Sequence, residues 1–404
     1  MKLRDLLDQD KFNEVQTALK RRGFEGGLSK LIELEKKRVE ITPKLDEMRA
    51  EANKLAKAKD IEGGKKISGE LKELEAEYKD LVFELTKLTA EIPNIPDSDI
   101  PDGGEDDGKV LETAGYIPKI DNPKDHTELG KNLDIIDLER GTKVSGSRFY
   151  YLKNQAVELE FALIRYVSKI LGERGFEFLM GPQLLGERAM LAGGYLGKAI
   201  DEIYKTQDNL YLNGTSEPAI LAYHMDEIIE VPKRYAAFST CFRREAGSYG
   251  KDTKGIIRTH QFDKVEMFAF VAPEDSDDMF ETMNIIIEDI LKGLEIPYQK
   301  VLLAAGDLGA AASKTVDYEC WLPSQNKYRE THSVSMTTDW QANLANVRYK
   351  AESGNENVYT LNGTAVAIGR MIAVLLENHQ QEDGSIKIPQ SLHPYLGFKE
   401  ISSR

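Results

Sequence analysis

Residues 241–264 read CFRREAGSYGKDTKGIIRTHQFDK, and this stretch is the most informative about the fold. Apolar or β-prone runs at 235–242 and 261–270 flank a loop of glycine, serine, lysine and aspartate, which predicts a long β-hairpin. The stretch holds six basic and three acidic residues, a local balance of +3 in a chain whose total charge is −15. Such a local excess of positive charge favours a polyanionic ligand.

Arg243 and Glu245 stand two residues apart on the predicted strand, so we expect their side chains to share one face. A guanidinium can hold a phosphate with two parallel N–H groups, and a neighbouring carboxylate can accept a hydrogen bond from the amino group of a base. Taken alone, the same residues also fit an ordinary surface hairpin that carries weak salt bridges. The hairpin by itself therefore leaves both interpretations open.

A second cluster lies at 358–398, and its centre at 360–384 reads TLNGTAVAIGRMIAVLLENHQQEDG. A short strand runs into a glycine-containing turn and then into an apolar helix whose one arginine is Arg370. A buried guanidinium is costly unless an anion pairs with it. That anion is either a structural carboxylate or a ligand phosphate, and the phosphate-binding hairpin predicted in the same domain favours the phosphate.

Two apolar seams, at 28–55 and 67–92, step by three and four residues as in a coiled coil. With the pair Gly63-Gly64 between them, they predict an antiparallel helical hairpin, the arm, over about residues 28–92. Pro43 should kink or break the first helix, because an interior proline costs about 3 kcal/mol. Such an arm, without context, also fits a dimerisation or spacer element.

Residues 93–108, PNIPDSDIPDGGEDDG, combine prolines, glycines and acids without periodicity, which predicts an acidic linker. From 109 to 404, helical stretches alternate with short β-rich runs, so we expect one α+β domain with antiparallel strands. The chain contains neither GxxxxGK[ST] nor a strand-GxGxxG-helix pattern, the two common nucleotide-binding motifs.

The composition is that of a soluble globular protein, with 404 residues of which 41% are hydrophobic and 30% charged. Cys241 and Cys320 are too few for a disulfide framework, and no His/Cys spacing resembles a zinc site. The first ten residues lack a signal pattern and no apolar run is long enough to span a membrane, so we expect a cytoplasmic protein. The charge of −15 argues against nonspecific nucleic-acid binding, but residues 28–92 carry only −1 of it.

Taken together, the motifs resemble those of class II aminoacyl-tRNA synthetases, and specifically the bacterial type of the seryl-tRNA synthetase family. Motif 1 resembles the helix from about 154 to 174 with Pro182, motif 2 is 242–268, and motif 3 is 361–384 followed by IPQSLHPYLGF. The resemblance extends over nearly the whole chain. It implies a tRNA-binding domain at 1–108, which contains the arm and the linker, and an antiparallel-sheet catalytic domain at 109–404.

The resemblance also implies a site for ATP and Mg²⁺. Arg243 would hold the α-phosphate, Arg370 the γ-phosphate, and Glu330 and Ser333 would coordinate Mg²⁺ together with ATP. The residues that it assigns to catalysis are Arg243, Arg370 and Glu330. The residues that it assigns to ATP, with Glu245 contacting adenine and Phe262 stacked on its ring, are Arg243, Glu245, Arg258, Phe262, Glu330, Ser333 and Arg370.

For L-serine, the resemblance implies a separate pocket in which Glu266 receives the ammonium group and Thr364 contacts the hydroxyl. The residues that it assigns to this pocket are Thr215, Glu217, Arg243, Glu266, Asn362 and Thr364. A hydroxyl-binding site of this kind would reject alanine strongly, because its buried polar groups would then have no partner.

The implied activity is serine–tRNA ligation by a homodimer without membrane association, through seryl adenylate and with tRNA(Ser) as acceptor. Whether a selenocysteine tRNA is also charged stays open. Two alternatives remain: a class II relative that charges another acceptor, such as a carrier protein, and a catalytically weak binding or regulatory paralogue. The arm speaks against the first alternative, because relatives of that kind are expected to lack it.

The stretch 330–344, ETHSVSMTTDWQANL, departs from the family pattern. An asparagine of the family is replaced by Met336, and a basic pair is replaced by Asn343-Leu344, which motivates the weak-paralogue alternative. His260 and His332 lie close to the motifs, but we expect ordinary hydrogen-bonded histidines rather than bases.

Overall fold

The computed structural model describes residues 3–197, 199–246 and 255–402, with the side chains of residues 4 and 5 left out. The chain divides into two compact units, Met1–Ile95 and Pro96–Arg404. The helices of the described residues are α1 (Gln9–Arg21), α2 (Ser29–Ala58), α3 (Ile61–Ala90), α4 (His126–Asn132), α5 (Leu138–Ser145), α6 (Gln155–Glu173), α7 (Glu187–Ala192), α8 (Glu217–Tyr223), α9 (Ser276–Gly293), α10 (Trp340–Ala345) and α11 (Ile368–His379).

The strands are short except for those at the centre of the larger unit. In chain order they are β1 (Lys109–Ala114), β2 (Ile136–Asp137), β3 (Tyr151–Leu152), β4 (Glu177–Leu179), β5 (Leu184–Leu185), β6 (Tyr211–Leu212), β7 (Ile228–Ile229), β8 (Lys233–Phe242), β9 (Gln261–Val271), β10 (Tyr298–Leu302), β11 (Lys314–Leu322), β12 (Lys327–Thr338), β13 (Arg348–Ala351), β14 (Gly354–Asn357), β15 (Tyr359–Ala367), β16 (Ile386–Lys387) and β17 (Glu400–Ile401).

The smaller unit is the predicted helical arm together with α1. Leu31, Leu34 and Leu45 of α2 pack with Leu81 and Leu85 of α3, so the periodic seam found in the sequence does form the core of the arm. Val15 and Leu19 of α1 are buried in the same cluster. Residues before 28 therefore share one hydrophobic core with the arm.

The turn of the arm differs from the prediction. It lies at Lys59, which has a left-handed φ of 56°, and at Asp60, whose side chain accepts a hydrogen bond of 3.0 Å from the backbone N–H of Gly63. This cap begins α3 at Ile61 and leaves Gly63-Gly64 inside its first turn. The predicted turn at Gly63-Gly64 was therefore wrong by a few residues.

Pro43 does not break α2, which runs from Ser29 to Ala58 without interruption. A proline removes a single N–H from the hydrogen-bond ladder of a helix. Ile41 and Leu45 on either side of it are buried in the seam of the arm, so tertiary packing outweighs the local cost. The predicted break was therefore wrong, and the alternative of a kink at Pro43 stays a prediction.

Most of the predicted linker belongs to the larger unit. The N–H of Asp97 donates to the Ser313 carbonyl over 2.9 Å, and the carbonyl of Pro101 accepts from the N–H of Ala305 over 2.9 Å. The boundary between the two compact units lies between Ile95 and Pro96, earlier in the chain than the domain boundary predicted at residue 108.

The larger unit is built around an eight-stranded sheet, whose strand order is β1-β10-β11-β12-β15-β9-β8-β4. Each of its strand pairs is antiparallel except β4–β8, which confirms the α+β class and the antiparallel strands. Helices α6, α9 and α11 pack against the sheet and bury its main hydrophobic core. Among the described residues no helix is both long and apolar enough for a membrane span.

Candidate functional site

The quoted stretch forms a hairpin of β8 and β9, in which Phe242 pairs with Gln261. The loop between these strands includes residues 247–254, so the predicted basic residues Lys251 and Lys254 lie outside the described residues. A cleft opens between the hairpin and the start of α11. The residues that line it are Arg243, Glu245, Ile256, Ile257, Arg258, Thr259, Phe262, Ala367, Gly369 and Arg370.

Arg243 lies just beyond the end of β8 and is held by three contacts. Its backbone N–H donates to the His260 carbonyl over 3.0 Å, and its Nε donates to the Gly214 carbonyl over 3.2 Å. Its guanidinium stacks on the ring of Phe262 at 5.4 Å. Burial alone would lower its pKa, but the neighbouring Tyr195 and other acidic groups raise the pKa above its ordinary value. The group therefore stays cationic inside the site.

Glu245 does not continue the strand as expected. It has a left-handed φ of 53°, and its side chain is only 7% exposed. Its carboxylate accepts from Nε of Arg258 and lies 3.9 Å from Nη1 of Arg148. The prediction that Arg243 and Glu245 share a strand face was wrong, although both residues line the same cleft.

Arg370 lies in the first turn of α11 and closes the other side of the cleft. Its Nε donates to the Ile257 carbonyl over 3.1 Å, and its Nη1 donates to the Glu330 carbonyl over 3.1 Å and lies 3.2 Å from the Glu330 carboxylate. The Arg370 side chain is 25% exposed. Its anionic partner is thus a carboxylate, and that carboxylate is itself one of the predicted ATP residues.

Glu330 and Ser333 lie on β12 on either side of an irregularity in its pairing with β11, at Thr331. Burial alone would raise the pKa of Glu330, but the charges of Arg370 and Arg243 outweigh it and lower the pKa. Asp317 pairs with Ser333 across the sheet, and burial and then the charge of Glu330 raise its pKa well above the usual range.

These oxygen groups fit Mg²⁺, which prefers carboxylate and hydroxyl oxygens. The charge of Glu330 raises the proton affinity of Asp317, and a cation beside two such carboxyl groups would relieve this repulsion. Among the residues that the structure describes, no group of three or more His, Cys, Asp or Glu side chains could hold a metal without other ligands.

Glu217 begins α8 and is almost fully buried. Its carboxylate accepts from the hydroxyl of Tyr195 over 2.6 Å, from Nε2 of Gln341 over 2.5 Å and from Nδ2 of Asn362 over 3.3 Å. Burial, and then the charge of Glu266, raises the pKa of Glu217 to about 6.

Glu266 on β9 lies on the other side of Asn362, whose Nδ2 also donates to it over 3.1 Å. The carboxylate forms an ion pair with Lys264, and both side chains are buried. Nζ of Lys264 lies 3.5 Å from Oγ1 of Thr364, which pairs with Glu266 across the sheet. We refer to these residues as the carboxylate pocket: Tyr195, Thr215, Glu217, Lys264, Glu266, Gln341, Asn362 and Thr364.

The structure brings the predicted serine residues together in this pocket. Five of the seven predicted ATP residues line the cleft, Glu330 contacts its Arg370, and Ser333 is not among the lining residues. Thr215 joins the pocket because its Oγ1 accepts from the backbone N–H of Glu217 over 3.3 Å. Arg243 belongs to both sites, since the cleft contains it and the charges of Tyr195 and Glu330 both act on it. The sequence analysis did not identify Tyr195, which lies outside the motifs, or Gln341, which lies within the quoted stretch 330–344.

The departures from the family pattern lie away from the cleft lining. Met336 is buried in the main hydrophobic core, and Leu344 is buried as well. Asn343 is exposed, and its side chain bonds to Asp339 over 3.1 Å and to Asn357 over 2.6 Å.

The two histidines have ordinary structural contacts. Nδ1 of His260 lies 3.0 Å from the Arg243 carbonyl, and Nδ1 of His332 lies 2.7 Å from the Thr331 hydroxyl. Burial lowers the pKa of His332 to about 3, so this ring is neutral at physiological pH. A neutral ring with so low a pKa is a poor general base.

Two family models match the chain. The first is the seryl-tRNA synthetase N-terminal domain, at residues 3–96, and the second is the tRNA synthetase class II core domain (G, H, P, S and T), at residues 201–379. A serine–tRNA ligase of Cutibacterium acnes is 45% identical over 87% of this chain and 85% of its own length.

Solved structures agree with these matches. The seryl-tRNA synthetase of Pyrococcus horikoshii, complexed with ATP, is 34% identical with a TM-score of 0.80 and covers 100% of this chain and 97% of its own. The cytoplasmic serine–tRNA ligase of Naegleria fowleri, in complex with AMP, is 30% identical with a TM-score of 0.82 and covers 99% and 98%. The chain therefore belongs to the seryl-tRNA synthetase family of class II aminoacyl-tRNA synthetases.

Proposed function

We propose that this protein is a serine–tRNA ligase that activates L-serine with ATP and transfers it to the 3′-terminal adenosine of tRNA(Ser). The observation that carries the proposal is the position of Arg243, which lines the arginine-rich cleft and also acts electrostatically on the carboxylate pocket. A cation at that position can neutralise the α-phosphate at the point where the carboxylate of serine attacks it.

The cleft would bind ATP through its three arginines. Arg243 would contact the α-phosphate, Arg258 the triphosphate and Arg370 the γ-phosphate, while adenine would stack on Phe262 with Glu245 at its amino group. In the first step, a serine carboxylate oxygen forms a bond to the α-phosphorus, and the bond to the pyrophosphate oxygen breaks. This displacement needs positioning and charge neutralisation more than acid–base catalysis.

The carboxylate pocket would select serine. Two buried carboxylates, Glu217 and Glu266, can receive the ammonium group, which would replace Lys264 as the cationic partner of Glu266. Thr364 lies next to that ion pair and would contact the substrate hydroxyl. Alanine would leave this hydrogen-bonding group unpaired, and the extra methyl group of threonine would be excluded sterically.

Mg²⁺ would be held by Glu330 and Ser333 together with phosphate oxygens. The bound ion would neutralise charge that builds up on the phosphates during displacement. Arg370, whose guanidinium contacts Glu330, would keep that carboxylate oriented toward the phosphates.

In the second step, the terminal ribose 3′-hydroxyl of tRNA attacks the carbonyl carbon of seryl adenylate and releases AMP. The arm would contact the tRNA outside its acceptor end, since its near-neutral charge suits selective contacts by individual Lys and Arg side chains. Homodimerisation would use α6, on which Phe161 is 62% exposed. We further propose that the enzyme acts in the cytoplasm.

Amino-acid-dependent exchange between ATP and labelled pyrophosphate tests the activation step with all twenty amino acids. Exchange with serine alone is expected, and Glu266→Ala should abolish it. An absence of exchange with pure wild-type protein would favour the weak-paralogue alternative. Exchange without charging of tRNA(Ser) would favour a relative that uses another acceptor.

A further inference from the structure

A buried histidine–carboxylate pair lies beside the cleft and has no part in the mechanism described so far. His126 at the start of α4 is 3% exposed, and Glu377 of α11 is fully buried. Nδ1 of His126 lies 2.7 Å from the Glu377 carboxylate, which also accepts from the backbone N–H of His126 over 3.1 Å. The other carboxylate oxygen accepts from the N–H of Ser324 over 3.2 Å.

The second ring nitrogen of His126 faces the hairpin loop. The backbone N–H of Ile256 donates to Nε2 over 3.2 Å, so Nε2 must carry a lone pair. The ring proton then resides on Nδ1 and is donated to Glu377. A continuous chain of hydrogen bonds thus runs from Glu377 through the ring to the loop backbone.

The loop residues that these hydrogen bonds hold in place are part of the cleft. The carbonyl of Ile257 accepts from Nε of Arg370 over 3.1 Å, and Arg258 pairs with Glu245. Displacement of Ile256 would therefore move the groups that orient two of the three cleft arginines. His126 and Glu377 themselves are absent from the cleft lining.

The backbone is fitted closely to the ring. Gly255 has a φ of +80°, and a Cβ placed on it would lie 1.9 Å from Nε2 of His126. Only glycine combines this conformation with so short an approach. The contact between ring and loop thus depends on the residue type on both sides, His126 and Gly255.

We propose that His126 and Glu377 are positioning residues for ATP, which hold the end of the hairpin loop so that Arg258 and Arg370 are correctly placed for the triphosphate. This inference rests on the proposed function, because it assigns the pair to the nucleotide half of that reaction. A merely structural pair would weaken the fold and both substrate sites alike, whereas a positioning pair acts on ATP and spares serine.

The test compares His126→Ala with His126→Gln in the full-length protein. A glutamine amide can accept from Ile256 with its oxygen and donate to Glu377 with its nitrogen, so it can replace the ring, whereas alanine cannot. Equilibrium binding of Mg·ATP without serine is measured by calorimetry, together with KM for ATP and for serine in the exchange assay and the melting temperature of each variant.

We expect His126→Ala to weaken Mg·ATP binding and raise KM for ATP by about tenfold, the effect of one lost buried hydrogen bond. KM for serine should stay within about twofold of the wild type, and His126→Gln should recover most of the ATP affinity. Unchanged ATP affinity in His126→Ala, equal losses for ATP and serine, or no recovery in His126→Gln would each overturn the proposal. Wild-type protein that binds ATP but lacks serine-dependent exchange would instead contradict the proposed function.

A second substitution tests the contact itself. Gly255→Ala should weaken ATP binding less in the His126→Ala background than in the wild type, because the ring that the new methyl would strike is gone. Losses that add independently in the double variant would show that ring and loop do not interact and would overturn the proposal.

Discussion

Binding of serine to the carboxylate pocket, its proposed site, should depend on the ionisation of Glu217. A change of pH combined with Glu217→Gln tests this dependence. Burial and the nearby charge of Glu266 raise the pKa of the Glu217 carboxyl to about 6. Below that pH the pocket loses one of the two negative charges that would face the ammonium group of serine. Glutamine has nearly the same size but does not titrate, so it separates charge from shape.

The size of the effect follows from the pKa. One pH unit below it, about one carboxyl in eleven is ionised, so the affinity for serine should be about tenfold lower at pH 5 than at pH 7. In Glu217→Gln, KM for serine should be raised at pH 7 and should stay nearly constant down to pH 5. Nε2 of Gln341 can still donate to the glutamine oxygen, and the glutamine amide nitrogen can donate to the Tyr195 hydroxyl oxygen, so the structural disturbance is limited.

The assay is KM for serine in pyrophosphate exchange at saturating ATP, measured at half-unit steps of pH. The exposed Glu382→Gln serves as the matched control and should follow the wild-type profile. A wild-type KM that does not change between pH 7 and pH 5 would show that ionisation of Glu217 does not control serine binding. So would a rise in KM that persists in Glu217→Gln, because the titrating group would then be another residue.

Three further predictions concern stability, the arm and the departures. The pKa of Glu217 in the folded protein, about 6, lies above its ordinary value of 4.5. The free energy of unfolding of the wild type should therefore fall by about 2 kcal/mol as the pH rises from 4.5 through 6. Urea unfolding measures this fall, which Glu217→Gln should lack. Removal of residues 1–95, the whole smaller unit, should leave serine-dependent exchange within about threefold but lower the rate of tRNA charging by more than about 100-fold; parallel losses would contradict separate roles. Because Asn343 is exposed, Asn343→Arg should change exchange by less than about twofold, and a larger gain would indicate that the departure weakens catalysis.

Much of the architecture could be predicted because it depends on periodic patterns. The seam of the arm and the strands of the hairpin follow from apolar spacing, which buried packing preserves. The errors arose where one local contact decides the outcome. Asp60 caps α3 ahead of the glycine pair, and the packing of Ile41 and Leu45 keeps α2 continuous through Pro43.

The residues of the candidate site also include some that could be predicted from the sequence and some that could not. Arg370 could be singled out because a cation in an apolar helix needs an anionic partner, and Arg243 because its hairpin carries a local excess of positive charge. Tyr195 and Gln341 could not, since each is an ordinary residue in its own segment and becomes part of the pocket only when the fold places it beside Glu217. His126 was missed for the same reason, as its partners lie more than a hundred residues away.

Arg243 lines the cleft and lies close to Tyr195 of the carboxylate pocket, and in the proposed mechanism this shared position would make the binding of ATP and of serine thermodynamically linked. If one ligand changes the orientation or charge environment of Arg243, the affinity of the protein for the other ligand changes as well. Linkage then requires reciprocity: the factor by which ATP alters the affinity for serine equals the factor by which serine alters the affinity for ATP. A single guanidinium would thus give the enzyme cooperative recognition of two chemically unlike substrates within one subunit.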